Sequence, residues 1–253
     1  MTESSPTAAV LLIGDEILSG RTKDKNLGFI ADYLAALGID LKEARVVADV
    51  EDEIVAAVNA LRPRYTYVFT TGGIGPTHDD ITADAIAKAF GVAIGHDLKA
   101  VEILRAYFNE LGREANEARM RMARIPAGAS LIANPVSKAP GFQIGNVFVM
   151  AGVPRIMQAM MDDVVPRLAK GIVMLSRNIE FHGGEGDIAK PLGEIQARFP
   201  NVVIGSYPFQ APDGFATNLV LRSRDDAALE IAFNAVCAVA TELTSQGKAR
   251  GWT

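Results

Sequence analysis

The segment Thr70-Thr-Gly-Gly-Ile-Gly-Pro-Thr-His-Asp-Asp-Ile-Thr82 sets three glycines beside a pair of carboxylates. Gly72, Gly73 and Gly75 allow a tight backbone turn and bring N–H groups against a ligand, as phosphate binding requires. The segment follows the apolar run Tyr65–Phe69 and precedes a helical stretch, Ala83–Phe90, whose N-terminus adds the positive end of its dipole. Asp79 and Asp80 oppose a bare phosphate. A divalent cation between them and the phosphate removes that conflict, so the segment predicts a phosphorylated ligand together with a metal ion. The same residues also fit a plain strand-to-helix turn with Asp80 or Thr82 as the helix cap. His78, beside two aspartates, suits a metal ligand, a base or a hydrogen-bonded loop residue.

Elements that can position this loop follow from the apolar periodicity. Ala8–Ile13, Ile39–Ala48 and Tyr65–Thr70 read as strands, and Asn26–Leu37, Glu51–Arg62 and Thr82–Phe90 as helices. Such alternation predicts a mostly parallel sheet covered by helices on both faces, with ligands gathering beyond the carboxyl ends of the strands. Three loops leave those ends: Gly14-Asp-Glu-Ile-Leu-Ser-Gly20, the turn at Asp49, and the glycine loop. Asn26 reads first as the cap of its helix and second as a ribose or base contact.

Helices are expected over Asp97–Leu111 and Ala115–Arg124, with Arg113, Arg119, Arg121 and Arg124 on a solvated or salt-bridged face. Asn134-Pro-Val-Ser-Lys-Ala-Pro-Gly-Phe142 is a loop in which Ser137 and Lys138 offer a hydroxyl and a cation. Beyond the strand Val147–Met150, the turn Ala151-Gly-Val-Pro154 leads into a helix, Arg155–Leu168.

After Lys170-Gly171 the pattern restarts, dividing the chain into residues 1–170 and 171–253. The second part reads as strand Val173–His182, helix Glu185–Phe199, strands Val202–Tyr207 and Phe215–Arg222, and helix Asp225–Gln246, a small α+β unit with a frayed tail, Lys248–Thr253. Gly183-Gly-Glu-Gly186 imitates the G-x-x-G loop of nucleic-acid-binding modules, but its acid sits where a phosphate must approach, and it reads as a turn.

With 253 residues, 49% of them hydrophobic, the chain can bury a sizeable core. Its net charge of −5 argues against nucleic acid and anionic membranes as partners. The single cysteine, Cys237, reads as a buried structural thiol. Met1–Thr7 lacks the positive flank of a signal peptide and Ala8–Ile13 is too short to span a membrane, so a cytoplasmic location is expected.

Taken in order, Gly14–Gly20, Thr70–Thr82 and Asn134–Phe142 with Ala151–Pro154 resemble the N-terminal region of competence/damage-inducible protein A (CinA), a branch of the molybdopterin-binding, molybdenum-cofactor-biosynthesis fold. Glu185-x-Asp-Ile-Ala189 and Gly205-Ser-Tyr-Pro208 resemble the KH-like second domain of that branch, so the likeness spans nearly the whole chain. It implies a three-layer αβα sandwich with a mostly parallel sheet, a small KH-like domain and self-association as a dimer. It also implies a ligand of the nucleotide or pterin class. The family's C-terminal nicotinamide-nucleotide amidase domain is not expected, because the chain ends before such a domain would begin.

Related regions act as metal-dependent pyrophosphatases on ADP-ribose or FAD, and more distant relatives adenylylate molybdopterin. The expected activity is therefore hydrolysis of a nucleoside diphosphate derivative such as ADP-ribose to AMP and a sugar phosphate. The alternatives are a molybdopterin- or nucleotide-binding protein and a molybdopterin adenylyltransferase. Asp80 matches the acid after the glycine loop in the adenylyltransferases, and Asp49 the acid after their second strand. Asp80, Asp49 and Asp79 are assigned to the chemistry, and Asp80, Asp49 and Asp15 to a magnesium, manganese or cobalt ion, with potassium as a further candidate. Gly14, Asp15, Glu16, Asn26, Thr71, Gly72, Gly73, Gly75, Ser137, Lys138, Gly152 and Pro154 form the expected ligand-binding set, with Lys138 as a charge clamp. Ser137-Lys138 stands where the family often has Gly-Thr, and Arg121-Met-Ala123 where it has Lys-Gln-Ala.

Overall fold

The computed structural model describes residues 5–212 and 214–253. The residues divide into two compact units that meet at Gly171 and Ile172. The first unit runs β1 (Thr7–Ile13), α1 (Asp15–Leu18), α2 (Asn26–Ala36), β2 (Asp40–Val47), α3 (Glu51–Leu61), β3 (Tyr67–Thr71) and α4 (Thr82–Phe90). It continues with β4 (Ile94–His96), α5 (Leu98–Glu110), α6 (Glu117–Met120), β5 (Arg124–Pro126), β6 (Ser130–Ile132), β7 (Gly141–Ile144), β8 (Val147–Met150) and α7 (Pro154–Val164).

Its main sheet has the order β2-β1-β3-β8-β7-β6. The first four strands are parallel, and β7 runs antiparallel to both β8 and β6. Side-chain alternation along β1 sorts the core into two layers. Ala9, Leu11 and Ile13 pack with Ile54 and Val58 of α3, Ile86 of α4 and Leu104 of α5. Ala8, Val10 and Leu12 pack with Ile30 and Leu34 of α2 and with Met157, Met160 and Met161 of α7. On that second face Phe69 and Phe148 stack across neighbouring strands, with ring centroids 5.3 Å apart. A mixed α/β fold with a mostly parallel sheet follows, covered on both sides as the near-continuous apolar strands β1 and β8 demand.

Between α4 and α7 the structure departs from the sequence reading. The helix expected over Ala115–Arg124 is only α6, followed by one 3-10 turn at Arg121–Ala123 and then β5. The short strands β4 to β7 went unread because three or four residues carry too little periodicity to separate from loop. Asp97 caps α5 by accepting the Ala100 N–H at 2.9 Å.

The second unit comprises β9 (Leu175–Gly183), α8 (Glu185–Arg198), β10 (Val203–Ala211), β11 (Gly214–Ser223), α9 (Asp226–Ser245) and β12 (Ala249–Trp252). Its antiparallel sheet has the order β10-β11-β9-β12. Ile188, Leu192 and Ile195 of α8 and Leu229, Val236 and Leu243 of α9 bury against Ile179, Phe181, Leu219 and Leu221 of the sheet. The tail expected to fray instead forms β12 on β9, fixed further by a reciprocal Glu180–Thr253 backbone pair at 2.8 and 3.0 Å. α9 is long and apolar enough to cross a membrane, yet its Leu/Val/Ala stripe is spent on this core. Cys237 on α9 is half-buried, and burial pushes its thiol pKa up.

Edge strand β10 carries no charged side chain. Two features blunt it against pairing: the Ile204 N–H donates to Gln196 Oε1 at 2.9 Å, and Pro208 has no N–H to offer.

Candidate functional site

Four parallel strands end side by side, and the loops that leave them, with the loop from β6 to β7, build one pocket of about 570 Å³, a volume suited to a cofactor-sized ligand. Close backbone approach shapes its floor. The Gly72 N–H donates to Met150 O at 3.1 Å and the Gly14 N–H to Val47 O at 3.1 Å, carrying the sheet's hydrogen bonding one residue past the strands. Gly72 has φ +107°, and a Cβ there would lie 2.1 Å from Ile13 O. Gly73 has φ +66°, and its Cβ would lie 2.1 Å from Thr82 Oγ1. Only glycine fits either position.

Thr82 anchors the other end of the loop. Its hydroxyl donates to Gly72 O and its N–H to Gly73 O, each at 3.0 Å. The cap expected from Asp80 or Thr82 is therefore absent. The N-cap of α4 is Ile81, without a side-chain cap, because both polar side chains are committed to the loop itself. Asp80 Oδ2 accepts from the Thr77 N–H at 2.8 Å and the Thr77 hydroxyl at 2.6 Å. A Cβ on Gly75 would come within 2.6 Å of that same oxygen.

Asn26 is corrected from a cap to a strut. Lys25 is the N-cap of α2, and the Asp24 carboxylate accepts the N–H groups of Asn26 (3.1 Å) and Leu27 (3.0 Å). The Asn26 side chain, only 3% exposed, turns inward, and its Nδ2 donates to Gly152 O at 2.8 Å and Thr71 Oγ1 at 3.4 Å. It thus ties the first loop to the ends of β3 and β8. Asn26→Ala should cost about 1–3 kcal/mol through the acceptor left buried at Gly152. Asn26→Asp should cost more, since a carboxylate would face that carbonyl. Urea denaturation of the two variants ranks them, and an aspartate variant as stable as wild type would reject the strut.

Gly14, Glu16, Asp49, Gly72, Gly73, Gly75, Asp79, Asp80, Ser137, Gly152 and Pro154 all line the pocket. Asp15 does not: it is exposed, and its N–H donates to Asp49 Oδ2 at 2.9 Å. Thr71 and Asn26 lie behind the wall as structural partners. Lys138 is exposed outside the lining and has φ +62°, with its N–H donating to Asn134 O. His78 is likewise absent from the lining.

Residues that the sequence did not single out complete the wall: Thr22, Ile74, Met122, Asn134, Val153 and Ile156. Asn134 is buried and organises its loop, accepting the N–H groups of Val136 and Ser137 and donating to Ser137 Oγ and Ala139 O. The Asn-Pro pair was its only signal, and that pair also marks ordinary turns.

Electrostatically the lining is one-sided. It holds Glu16, Asp49, Asp79 and Asp80, and no lysine or arginine. Burial raises the Asp49 pKa above the usual carboxylate value; the Asp15 N–H opposes this, while the charges of Asp15, Glu16 and Asp79 add to it. Asp79 is held below the usual value by the Thr77 side chain, its own backbone N–H and the nearby His78. Among the described residues no three carboxylate, imidazole or thiolate groups converge on a common point. The site offers hard carboxylate oxygens but only part of a coordination sphere.

Comparison with known proteins decides the family. The family described as "Probable molybdopterin binding domain" matches residues 9–170. The chain belongs to this molybdopterin-binding domain family. In this molybdopterin-binding-family protein, residues 173–246 match a second family, described as the middle domain of FAD synthase. A protein of Thermococcus kodakarensis is 36% identical over 238 residues, covering 88% of this chain and 93% of its own length. A CinA-like protein of Desulfosudis oleivorans is 37% identical over 166 residues, 64% of this chain and 40% of that protein. The crystal structure of the protein CinA from Thermoplasma acidophilum, described as of unknown function, matches with a TM-score of 0.59 at 33% identity, covering 64% of this chain and 98% of that one. The molybdopterin-binding region here is CinA-like.

Proposed function

We propose that the pocket binds a phosphorylated small molecule of the pterin or adenine-nucleotide class. The observation that carries this reading is the glycine floor. Gly72 and Gly73 adopt positive φ and leave no room for side chains, which brings the loop backbone up to whatever occupies the pocket. Apolar residues of the wall, Ile74, Met122, Val153 and Ile156, suit a flat heterocycle. Membership of the molybdopterin-binding family supports the same ligand class.

A second reading, cleavage of a pyrophosphate such as that of ADP-ribose, draws support from the acids. A protein that only held an anion would gain nothing from four carboxylates in the lining. Their donor chemistry fits a divalent ion held by Asp49 and Asp79, with Asp80 adjoining. Such an ion supplies charge neutralisation and a more acidic bound water. For their part, the residues of this chain orient the ligand: the glycine loop aligns its phosphates, and the rigid Asn134 loop limits where its far end can lie.

Calorimetric titration of the full chain with ADP, ADP-ribose and a pterin phosphate, with and without Mg²⁺ or Mn²⁺, tests the first reading. Failure of all of them to bind would reject it. AMP release from ADP-ribose in the same mixtures tests the second, which binding without AMP would rule out.

A further inference from the structure

Behind the glycine loop lies a recess of about 20 Å³, room for a single water molecule. It shares Gly73, Ile74, Gly75, Asp80 and Met122 with the main pocket, so the loop and Met122 form a thin wall between the two. Two arginines border the recess and differ in how they are held. Arg124 is clamped by both oxygens of Asp84. Arg121, on the 3-10 turn after α6, has no carboxylate within ion-pair distance among the described residues. Its Nη2 donates to Asp80 O at 3.3 Å, and its Nε is buried without a protein partner. A buried guanidinium nitrogen left so is costly in an ordinary structural role. A cation without a close carboxylate, set behind the loop that carries Asp79 and Asp80, is placed to act on that loop.

We propose that Arg121 is a positioning residue for the site: it fixes the glycine loop through the Asp80 peptide and sets a positive charge behind the surface that meets an anionic ligand. Asp80 passes this restraint on, because its carboxylate holds Thr77 and so closes the loop. The guanidinium reaches the ligand only through the loop. Loss of Arg121 therefore loosens residues 72–82 and weakens anion binding, and leaves the sheet intact. The affinity part of this inference rests on the phosphate-binding reading of the pocket, whereas the loop part does not.

The test compares wild type, Arg121→Lys and Arg121→Met in the full chain, by amide hydrogen exchange without ligand and by calorimetric titration with ADP and Mg²⁺. In Arg121→Met, exchange over residues 72–82 should rise about tenfold or more and ADP affinity fall about tenfold, the scale of a lost charged hydrogen bond, with β1 and β8 amides unchanged. Arg121→Lys should recover much of the affinity by restoring the charge, but less of the protection, because an ammonium lacks the planar fork. Unchanged exchange over residues 72–82 in Arg121→Met would overturn the proposal. So would faster exchange throughout β1 and β8, which would mark a purely structural role. If wild type itself bound no ADP, the ligand reading would fail, and the exchange comparison would still decide the role of Arg121.

Discussion

Gly72→Ala should abolish ligand binding and lower the melting temperature of the first unit together. The added Cβ would lie 2.1 Å from Ile13 O, a backbone atom of the central strand, at φ +107°, where a side chain is strained even in open space. Neither partner can yield cheaply: Ile13 is paired in β1, and Gly72 is pinned by its bond to Met150 O. The combined clash and strain amount to roughly 3–5 kcal/mol, or a fall of about 6–20 °C for a unit of this size. Gly152→Ala is the natural comparison. Its Cβ would lie 3.2 Å from Gly72 Cα with no positive φ to strain it, so about 1 kcal/mol is expected. Scanning calorimetry with ADP titration separates the two, and a Gly72 variant that melts and binds as wild type would refute the packing argument.

Asp49→Asn should raise stability while impairing ligand binding or turnover, the signature of an acid kept for function. Asp49 is partly buried and faces the charges of Asp15, Glu16 and Asp79, so its folded pKa lies above its unfolded one. The folded state therefore binds more protons than the unfolded state between those two values, and stability falls as pH rises through that interval. Above it the penalty is constant; below the ordinary carboxylate pKa it vanishes. The asparagine variant, which can still accept the Asp15 N–H, should match wild type at low pH and exceed it at neutral pH by a few degrees at most, given about 2–4 °C per kcal/mol. Added Mg²⁺ or Mn²⁺ should narrow the gap by stabilising only wild type, since a cation that binds the folded form shifts unfolding by mass action. A variant less stable than wild type at neutral pH, or equal gains with metal, would contradict this account.

Much of the fold was legible because its signals are long. The strand β8 and all of β1 after Thr7 are apolar, and the helices α2 to α4 carry enough turns for a periodic stripe, so the sandwich and its strand-end pocket are legible in the sequence. The glycines of the loop were legible for a different reason: positive φ together with close approach of neighbouring atoms favours glycine at Gly72 and Gly73. Asn26 and Arg121 were misread by the same logic that succeeded elsewhere. An asparagine before a helical stripe usually caps, and an arginine in a charged stretch usually faces water. Each has instead a long-range partner, Gly152 across 126 positions and Asp80 across 41, and no local pattern encodes such a contact.

By itself the sequence determined the element types, the three loops that gather at one end of a parallel sheet, and the acid-and-glycine chemistry carried there. Those properties depend on periodicity and on single-residue stereochemistry, which are local. Only the tertiary structure decided which groups share the pocket. It set Glu16, Asp49, Asp79 and Asp80 around it, left Lys138 outside the lining, bound the Asp80 carboxylate to Thr77, and brought Arg121 behind the loop. Those outcomes depend on where strands pair and how the loop from β6 to β7 folds around Asn134, and so on contacts between residues far apart in the chain.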